Sequence, residues 1–427
     1  MNKQALFSRQ LAKWLCHVDW HYKTLLGVSI ECVDKLPDDC DELINDLLLH
    51  YPQKPSENQI TDFLYSSPRL SNWFISPMPG PVVVRLNLDS PTFTSQTFNH
   101  PPDIDTLKDL TNWLGITHSE LDWFASFWRF NPDTPEHLKH YQYQLLKKQD
   151  GSKRLIEKPK VRLKRLQRKI YQEILSTADA HPAAHGFCKR KSCKTHASIH
   201  AGKRYLMLFD LADCFHSIGW SQVQSVFKKM GYAEAVSSYL TALCTHSVHF
   251  EKSQSIHFDH TQKAKLRQRH LPQGSPTSPA LVNAVLHQLD SRLSGLAKSL
   301  DLEYSRYADD MVLSGNAHRD WRFLEPLVGG ICLDEGVSIN HRKTRIKRAH
   351  QKQRIVGIVV NKKPNIDRKH FDVLKAILTN CTRYGIESQN RGNHPQFRAH
   401  LRGRIQYVKS LNEQKGLNLE RIYQNIA

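Results

Sequence analysis

Tyr304-Ser305-Arg306-Tyr307-Ala308-Asp309-Asp310-Met311-Val312-Leu313-Ser314 sets two adjacent carboxylates between two apolar, β-prone runs. The pattern reads as strand, acidic tip, strand. Like carboxylates repel one another and resist burial unless positive charge sits between them. A bare Asp-Asp pair is more often a solvated turn, because short polar side chains suit turn backbones. The flanking sequence is what gives this pair weight.

Working outward, Leu206-Met207-Leu208-Phe209-Asp210 is a second apolar strand ending in a carboxylate, followed by Leu211-Ala212-Asp213-Cys214-Phe215. Between the two acidic sites, Leu271-Pro272-Gln273-Gly274-Ser275-Pro276-Thr277-Ser278-Pro279 opens an apolar stretch expected to form one helix over Ala280–Leu296. Asp309 and Asp310 at a hairpin tip, beside Asp210 at a neighbouring strand end, offer hard oxygen ligands for two Mg²⁺ ions. Such a pair suits phosphoryl transfer to a 3′-hydroxyl with departure of pyrophosphate.

These three motifs, in this order, resemble the palm motifs of reverse transcriptases, from about Tyr141 to the end of the chain. The resemblance implies an α+β right-hand polymerase: fingers, a palm with an antiparallel sheet, and a helical thumb. Asp210, Asp309 and Asp310 match the metal-binding triad, with the Leu211 carbonyl as an extra ligand. Phe215 matches the steric gate against a 2′-hydroxyl, which favours deoxynucleotides. Gln273 and Gly274 match the loop bordering the nucleotide pocket. Lys153, Arg154 and Arg190 match fingers cations that embrace a triphosphate, and Lys343 matches a lysine able to protonate the leaving pyrophosphate.

Within that family the closest resemblance is to bacterial retron-type and defence-associated enzymes. His181-Pro182-Ala183-Ala184-His185-Gly186-Phe187 and the context of the Asp pair carry it. His196-Ala197-Ser198-Ile199-His200 stands where retrons carry Asn-Ala-x-x-His, and Ile355-Val356-Gly357 where they carry Val-Thr-Gly. The resemblance implies an RNA template, a structured non-coding RNA partner, a DNA product made from dNTPs, and a role in antiphage defence. The alternatives are a group II intron-like or CRISPR-associated reverse transcriptase, and an idle RNA-binding scaffold. The four histidines are expected to pack or touch RNA and not to bind metal, since no acid or Cys completes a set.

Charge divides the chain of 427 residues. Sixty Lys and Arg against 41 Asp and Glu give a net +19. Residues 1–140 hold 11 basic and 18 acidic side chains (net −7), leaving 49 and 23 (net +26) for the other 287. A polyanion is the natural partner of the basic part, because neutralised phosphates release condensed counterions. Residues 1–100 read as a mainly helical N-terminal extension, with a Pro-rich stretch at 77–102 around a Val82–Leu86 strand. The acidic part suggests a protein partner or self-association.

Residues 101–340 read as fingers and palm with a helical lead-in at 104–129, and 341–427 as the palm end and a basic thumb. That last segment has 20 basic and 5 acidic residues and an apolar stripe of Leu401, Ile405, Val408 and Leu411. Asp150-Gly151 predicts a β-hairpin between Tyr141–Leu146 and Arg154–Ile156, and the basic run Lys158–Lys169 a helix. Nine scattered cysteines fit reduced thiols. No apolar run reaches the roughly 18–20 residues of a membrane span, and the start lacks a secretory signal, so a cytoplasmic location without membrane contact is expected.

Overall fold

The computed structural model describes the chain except residues 1–2, 17, 19, 35–36, 38, 75–81, 84–97, 99–100, 127–134, 148–150, 152, 249–257, 259, 318–320 and 427. It divides into two units, Met1–Ser90 and Pro91–Ala427.

In the first unit, helices Lys3–Leu15, Tyr22–Cys32, Cys40–His50, Glu57–Ser66 and Pro68–Trp73 bury Leu11, Leu43, Leu47, Ile60 and Leu64 among one another. Local chemistry sets their starts. Ser56 and Gln59 form a reciprocal capping box, and Pro68 sits where its missing N–H is not needed. Strands β1 (Val33–Asp34) and β2 (Val82–Val83) pair antiparallel. Residues 84–86, the rest of the expected strand, lie outside the described residues.

The second unit opens with helices Leu107–Leu114 and His118–Ala125, each started by a capping box, Thr106 with Asp109 and Thr117 with Glu120. The expected hairpin is present as β3 (Tyr141–Lys147) and β4 (Lys153–Pro159), in register from Tyr141↔Pro159 to Lys147↔Lys153. Gly151 in its loop adopts φ 83°, which glycine reaches without Cβ strain. The basic helix Val161–Lys169 follows, with Leu163 and Leu166 buried.

The centre of this unit is a four-stranded antiparallel sheet made of β5 (Tyr205–Asp210), β6 (Glu303–Tyr307), β7 (Asp310–Gly315) and β8 (Arg345–Arg348), in the order β6-β7-β5-β8. Its inner strands are apolar on both faces, as strands covered on both sides must be. The stretch expected as one helix over Ala280–Leu296 is two, Ser278–Val285 and His287–Ser299, broken at the buried Leu286. The break lets the second helix carry His287, Asp290 and Leu293 inward. Periodicity alone could not show it, because apolar residues run through the join.

Short strands β9 (Arg354–Ile355) and β10 (Ile358–Val359) form a separate antiparallel pair. Helices Arg368–Tyr384, Phe397–Leu411 and Glu413–Gln424 then close on Leu374, Leu378, Leu401, Ile405, Val408 and Leu419. The predicted stripe is thus buried, and Leu411 joins a neighbouring cluster with Ile355 and Ile358. Every described cysteine is a free thiol, and no described helix is long and apolar enough to cross a membrane.

Candidate active site

The ends of β5 and β7 bring the three aspartates to one place. Asp210 lies directly opposite Asp310 in the β5–β7 register, and the Leu211 N–H donates to the Asp309 carbonyl at 2.9 Å. The chain leaving β5 is held from its other side, where Asn340 N–H donates to Asp210 O at 2.7 Å and Ala212 N–H to Ser338 O at 2.8 Å. Neither bond uses the Leu211 carbonyl. The tip between β6 and β7 turns through Ala308 at φ 58°, an uncommon backbone for a residue with a Cβ.

Two features that sequence reading missed hold that turn. Arg306 is fully enclosed. Its Nη1 donates to the Ala308 carbonyl at 2.9 Å, while Nε and Nη2 donate to the two Asp290 carboxylate oxygens at 2.8 and 2.6 Å. Burial works against the guanidinium charge, but Asp290 outweighs it and holds the proton on firmly. Gly186 packs so closely beneath the turn that a Cβ there would lie 2.4 Å from Ala308 N. Arg306 was visible in the Tyr-Ser-Arg-Tyr run, but nothing local marks Asp290 as its partner.

Burial and mutual repulsion act on two of the three carboxylates. Burial, then Asp210, raises the Asp309 carboxyl, and burial, Asp309 and Asp210 push Asp310 up to about 6. Lys343 lies against them, its Nζ donating to both Asp210 oxygens at 2.9 and 3.0 Å. Burial opposes that ammonium, yet the Asp210 bond keeps it charged above its ordinary range. A cleft of about 290 Å³ opens beside Asp210, Asp310 and Lys343, with Arg345 and Arg354 on its wall.

This donor set fits divalent cations. Carboxylates crowded together lower their energy by sharing a cation, and hard oxygen ligands suit Mg²⁺. Among the described residues, the one set of three acidic, His or Cys groups whose ligand atoms all lie within 4.8 Å is Glu157, His216 and His270, so the aspartates are spread wider.

The other expected residues lie on separate elements. Phe215 is half-buried, its ring 6.4 Å from and steeply inclined to that of the exposed Phe187, which sequence reading did not single out. Gln273 and Gly274 dock on β4, where the Gln273 carbonyl accepts from Glu157 N–H at 2.9 Å. Gly274 has φ 140°, and a Cβ there would meet the Glu157 carbonyl at 2.7 Å. Arg154 is exposed at the start of β4, near enough to Asp309 to favour its charged form. Lys153 is half-buried beside it, and Arg190 is exposed at a turn with φ 63°.

The histidines of 181–200 are taken up by packing. His196 Nδ1 pairs with Ser305 Oγ at 2.7 Å, His200 bridges Ser314 and Ser305 at 2.7 Å each, and His185 Nδ1 meets Thr195 Oγ1 at 2.8 Å. His181 Nδ1 accepts from Ala183 N–H.

Known proteins resemble the chain over the same region. Residues 146–360 match the family model for reverse transcriptase (RNA-dependent DNA polymerase). The chain is 36% identical to the retron Mx65 reverse transcriptase of Myxococcus xanthus over 287 residues, which is 67% of this chain and 65% of that protein. It is 35% identical to the retron Mx162 reverse transcriptase of the same organism over 61% of this chain and 54% of the relative. With the retron Ec86 reverse transcriptase of Escherichia coli it shares 30% identity over 55% of this chain and 68% of the relative. The chain therefore spans somewhat less than two thirds of the Mx65 enzyme and about half of the Mx162 enzyme. An acidic strand-end pair in register, a buried arginine under its turn, and a match covering the whole central sheet place the chain in the reverse transcriptase (RNA-dependent DNA polymerase) family, among its retron-type members.

Proposed function

We propose that the protein is an RNA-directed DNA polymerase of retron type that extends DNA on a structured non-coding RNA partner. The observation that carries this reading is the Asp210↔Asp310 register with Asp309 bonded alongside and the Lys343 ammonium against the cluster. In this reading β5–β8 form the palm, the β3–β4 hairpin and the helix after it belong to the fingers, and residues 341–427 supply the palm end and the basic thumb. Residues 101–340 hold fingers and palm, and residues 1–100 form an extension whose acidic surface docks a protein partner or a second copy.

Asp210, Asp309 and Asp310, with the Leu211 carbonyl, would hold two Mg²⁺. Bound there, such ions neutralise charge on the transferred phosphoryl group and favour the alkoxide form of a 3′-hydroxyl. The chain's own groups do the rest. Arg154, Lys153 and Arg190 bind and orient the triphosphate through charge-assisted hydrogen bonds. Phe215 excludes a 2′-hydroxyl, and the Gln273–Gly274 loop forms the pocket wall, where any side chain at 274 would strike β4. Lys343 Nζ, a donor already beside Asp210, passes a proton to the leaving pyrophosphate. The basic thumb grips the template–primer duplex by backbone charge and A-like shape, with little base readout.

An antiphage role follows from the kinship with retron enzymes and belongs to the same proposal. The test is direct. Protein with its co-purifying RNA, labelled dNTPs and Mg²⁺ extends a DNA strand, and Asp309→Ala with Asp310→Ala abolishes extension while RNA binding persists. Equal behaviour of wild type and the double variant removes the enzymatic reading.

A further inference from the structure

Glu157, His216 and His270 come from three separate elements: β4, the short turn of helix Cys214–Ser217 that follows Phe215, and the segment entering the Leu271–Pro279 loop. Their ligand atoms all lie within 4.8 Å of one another. The side chains of Glu157 and His270 are 0% and 1% exposed, and that of His216 is 14% exposed. The active-site reading uses none of them.

With both rings neutral and their Nε2 lone pairs turned inward, this cluster has no donor of its own; a proton on either Nε2 would instead pair with Glu157. His270 Nδ1 lies 2.7 Å from the Gln268 carbonyl, so that nitrogen carries the hydrogen and a neutral ring turns the lone pair of Nε2 inward. That lone pair faces the two Glu157 oxygens at 3.1 and 3.3 Å, which are themselves acceptors. His216 Nε2 is buried with no hydrogen-bond partner and lies 3.5 Å from Glu157 Oε1. The nearby His246 is already committed, its Nε2 2.7 Å from the Tyr143 hydroxyl. In that neutral state three acceptors face one another, an arrangement that one cation among them satisfies.

The spacing is that of a metal site. A tetrahedral ion about 2.0–2.1 Å from each ligand sets neighbouring ligand atoms about 3.3 Å apart, and sets two imidazole rings bound through Nε2 roughly 5 Å apart, centre to centre. The ligand-atom separations here are 3.1 and 3.5 Å, and the His216 and His270 ring centroids lie 5.1 Å apart at 89°. The Gln268 carbonyl on His270 Nδ1 is the outer-shell partner that orients a metal-bound imidazole. Two imidazoles and one carboxylate favour Zn²⁺ over Mg²⁺, which prefers an all-oxygen shell.

We propose that Glu157, His216 and His270 bind one Zn²⁺ ion, separate from the aspartate site. The ion staples β4 to the turn bearing Phe215 and to the Gln273–Gly274 loop. Glu157 already bonds that loop through its backbone, so metal binding fixes the wall of the nucleotide pocket from behind. The inference stands whether or not the chain polymerises DNA.

The test uses the full chain, loaded with Zn²⁺, freed of excess by dialysis, and measured for metal by mass spectrometry. About one Zn²⁺ per chain is expected, retained in millimolar Mg²⁺ and in the Asp309→Ala, Asp310→Ala protein. Co²⁺ in place of Zn²⁺ should give the visible absorption of a tetrahedral site. His216→Ala, the least enclosed ligand, should lower Zn²⁺ content at least tenfold while circular dichroism shows a folded chain. Chelation should lower the melting temperature of wild type but not of His216→Ala. The proposal is overturned if wild type retains under a tenth of an equivalent, or if folded His216→Ala and Glu157→Gln bind Zn²⁺ as wild type does. The first outcome would leave a protonated His270 paired with Glu157 as the occupant of the space.

Discussion

Replacing Asp290 with Asn tests the support beneath the acidic turn. Arg306 and Asp290 are both enclosed at 0% side-chain exposure, joined by two bonds at 2.6 and 2.8 Å, and Tyr304 Oη donates to the same carboxylate at 2.8 Å. Asn keeps the shape and one acceptor but removes the charge, so the guanidinium is left in the interior without its counter-ion. Breaking a buried pair from one side costs about 3–5 kcal/mol. For a unit of the size of Pro91–Ala427, an unfolding entropy of about 2.1 cal/mol/K per residue amounts to roughly 0.7 kcal/mol/K, so the melting temperature should fall by about 4–7 °C.

Differential scanning fluorimetry measures that fall. Primer extension should drop further than stability alone explains, because Nη1 of the same guanidinium holds the Ala308 carbonyl one residue before Asp309. A displacement near 1 Å can cost on the order of 10²-fold in rate. Replacing both partners, Arg306→Met with Asp290→Leu, removes the buried charge and should restore most of the melting temperature without restoring extension. A shift under about 1 °C for Asp290→Asn, or a double variant as unstable as the single, would refute the reasoning.

Four further outcomes follow from the geometry. Gly186→Ala forces a Cβ to 2.4 Å from Ala308 N, so extension should fall by roughly tenfold or more while the far helices keep their hydrogen-exchange protection. Gly274→Ala combines φ 140° with a 2.7 Å approach to the Glu157 carbonyl and should raise the KM for dNTPs more than it lowers kcat, as steady-state kinetics will show. Phe215→Ala should increase ribonucleotide incorporation in a competition assay, and unchanged sugar discrimination would remove the gate assignment. Thr117→Ala deletes a cap that satisfies the Glu120 N–H at 3.2 Å and should destabilise the chain by about 1 kcal/mol, read from denaturant midpoints.

Much of the site was legible before folding because its parts are short and locally patterned. The apolar runs into Asp210 and out of Asp310, the Asp150-Gly151 hairpin and the basic helix after it each declare themselves within a few residues, where strand alternation, turn chemistry and helical periodicity act. The apolar stripe of Leu401, Ile405 and Val408 did the same for the C-terminal helices, and it is buried as expected. Charge counting likewise needed no coordinates to separate an acidic beginning from a basic remainder.

Other features exist only between segments distant in the chain. The Arg306–Asp290 pair, the Gly186 contact with the acidic turn, the approach of Phe187 to Phe215, the helix break at Leu286 and the Glu157–His216–His270 cluster leave no trace in any window of sequence. Each depends on which strand edges and helix ends come together. Long-range contacts are selected by burial and register across the whole unit, whereas periodicity reports only the few residues nearest in the chain. For this protein, sequence alone marked which residues are candidates for the chemistry; the tertiary structure decided which of them come together and what holds them in place.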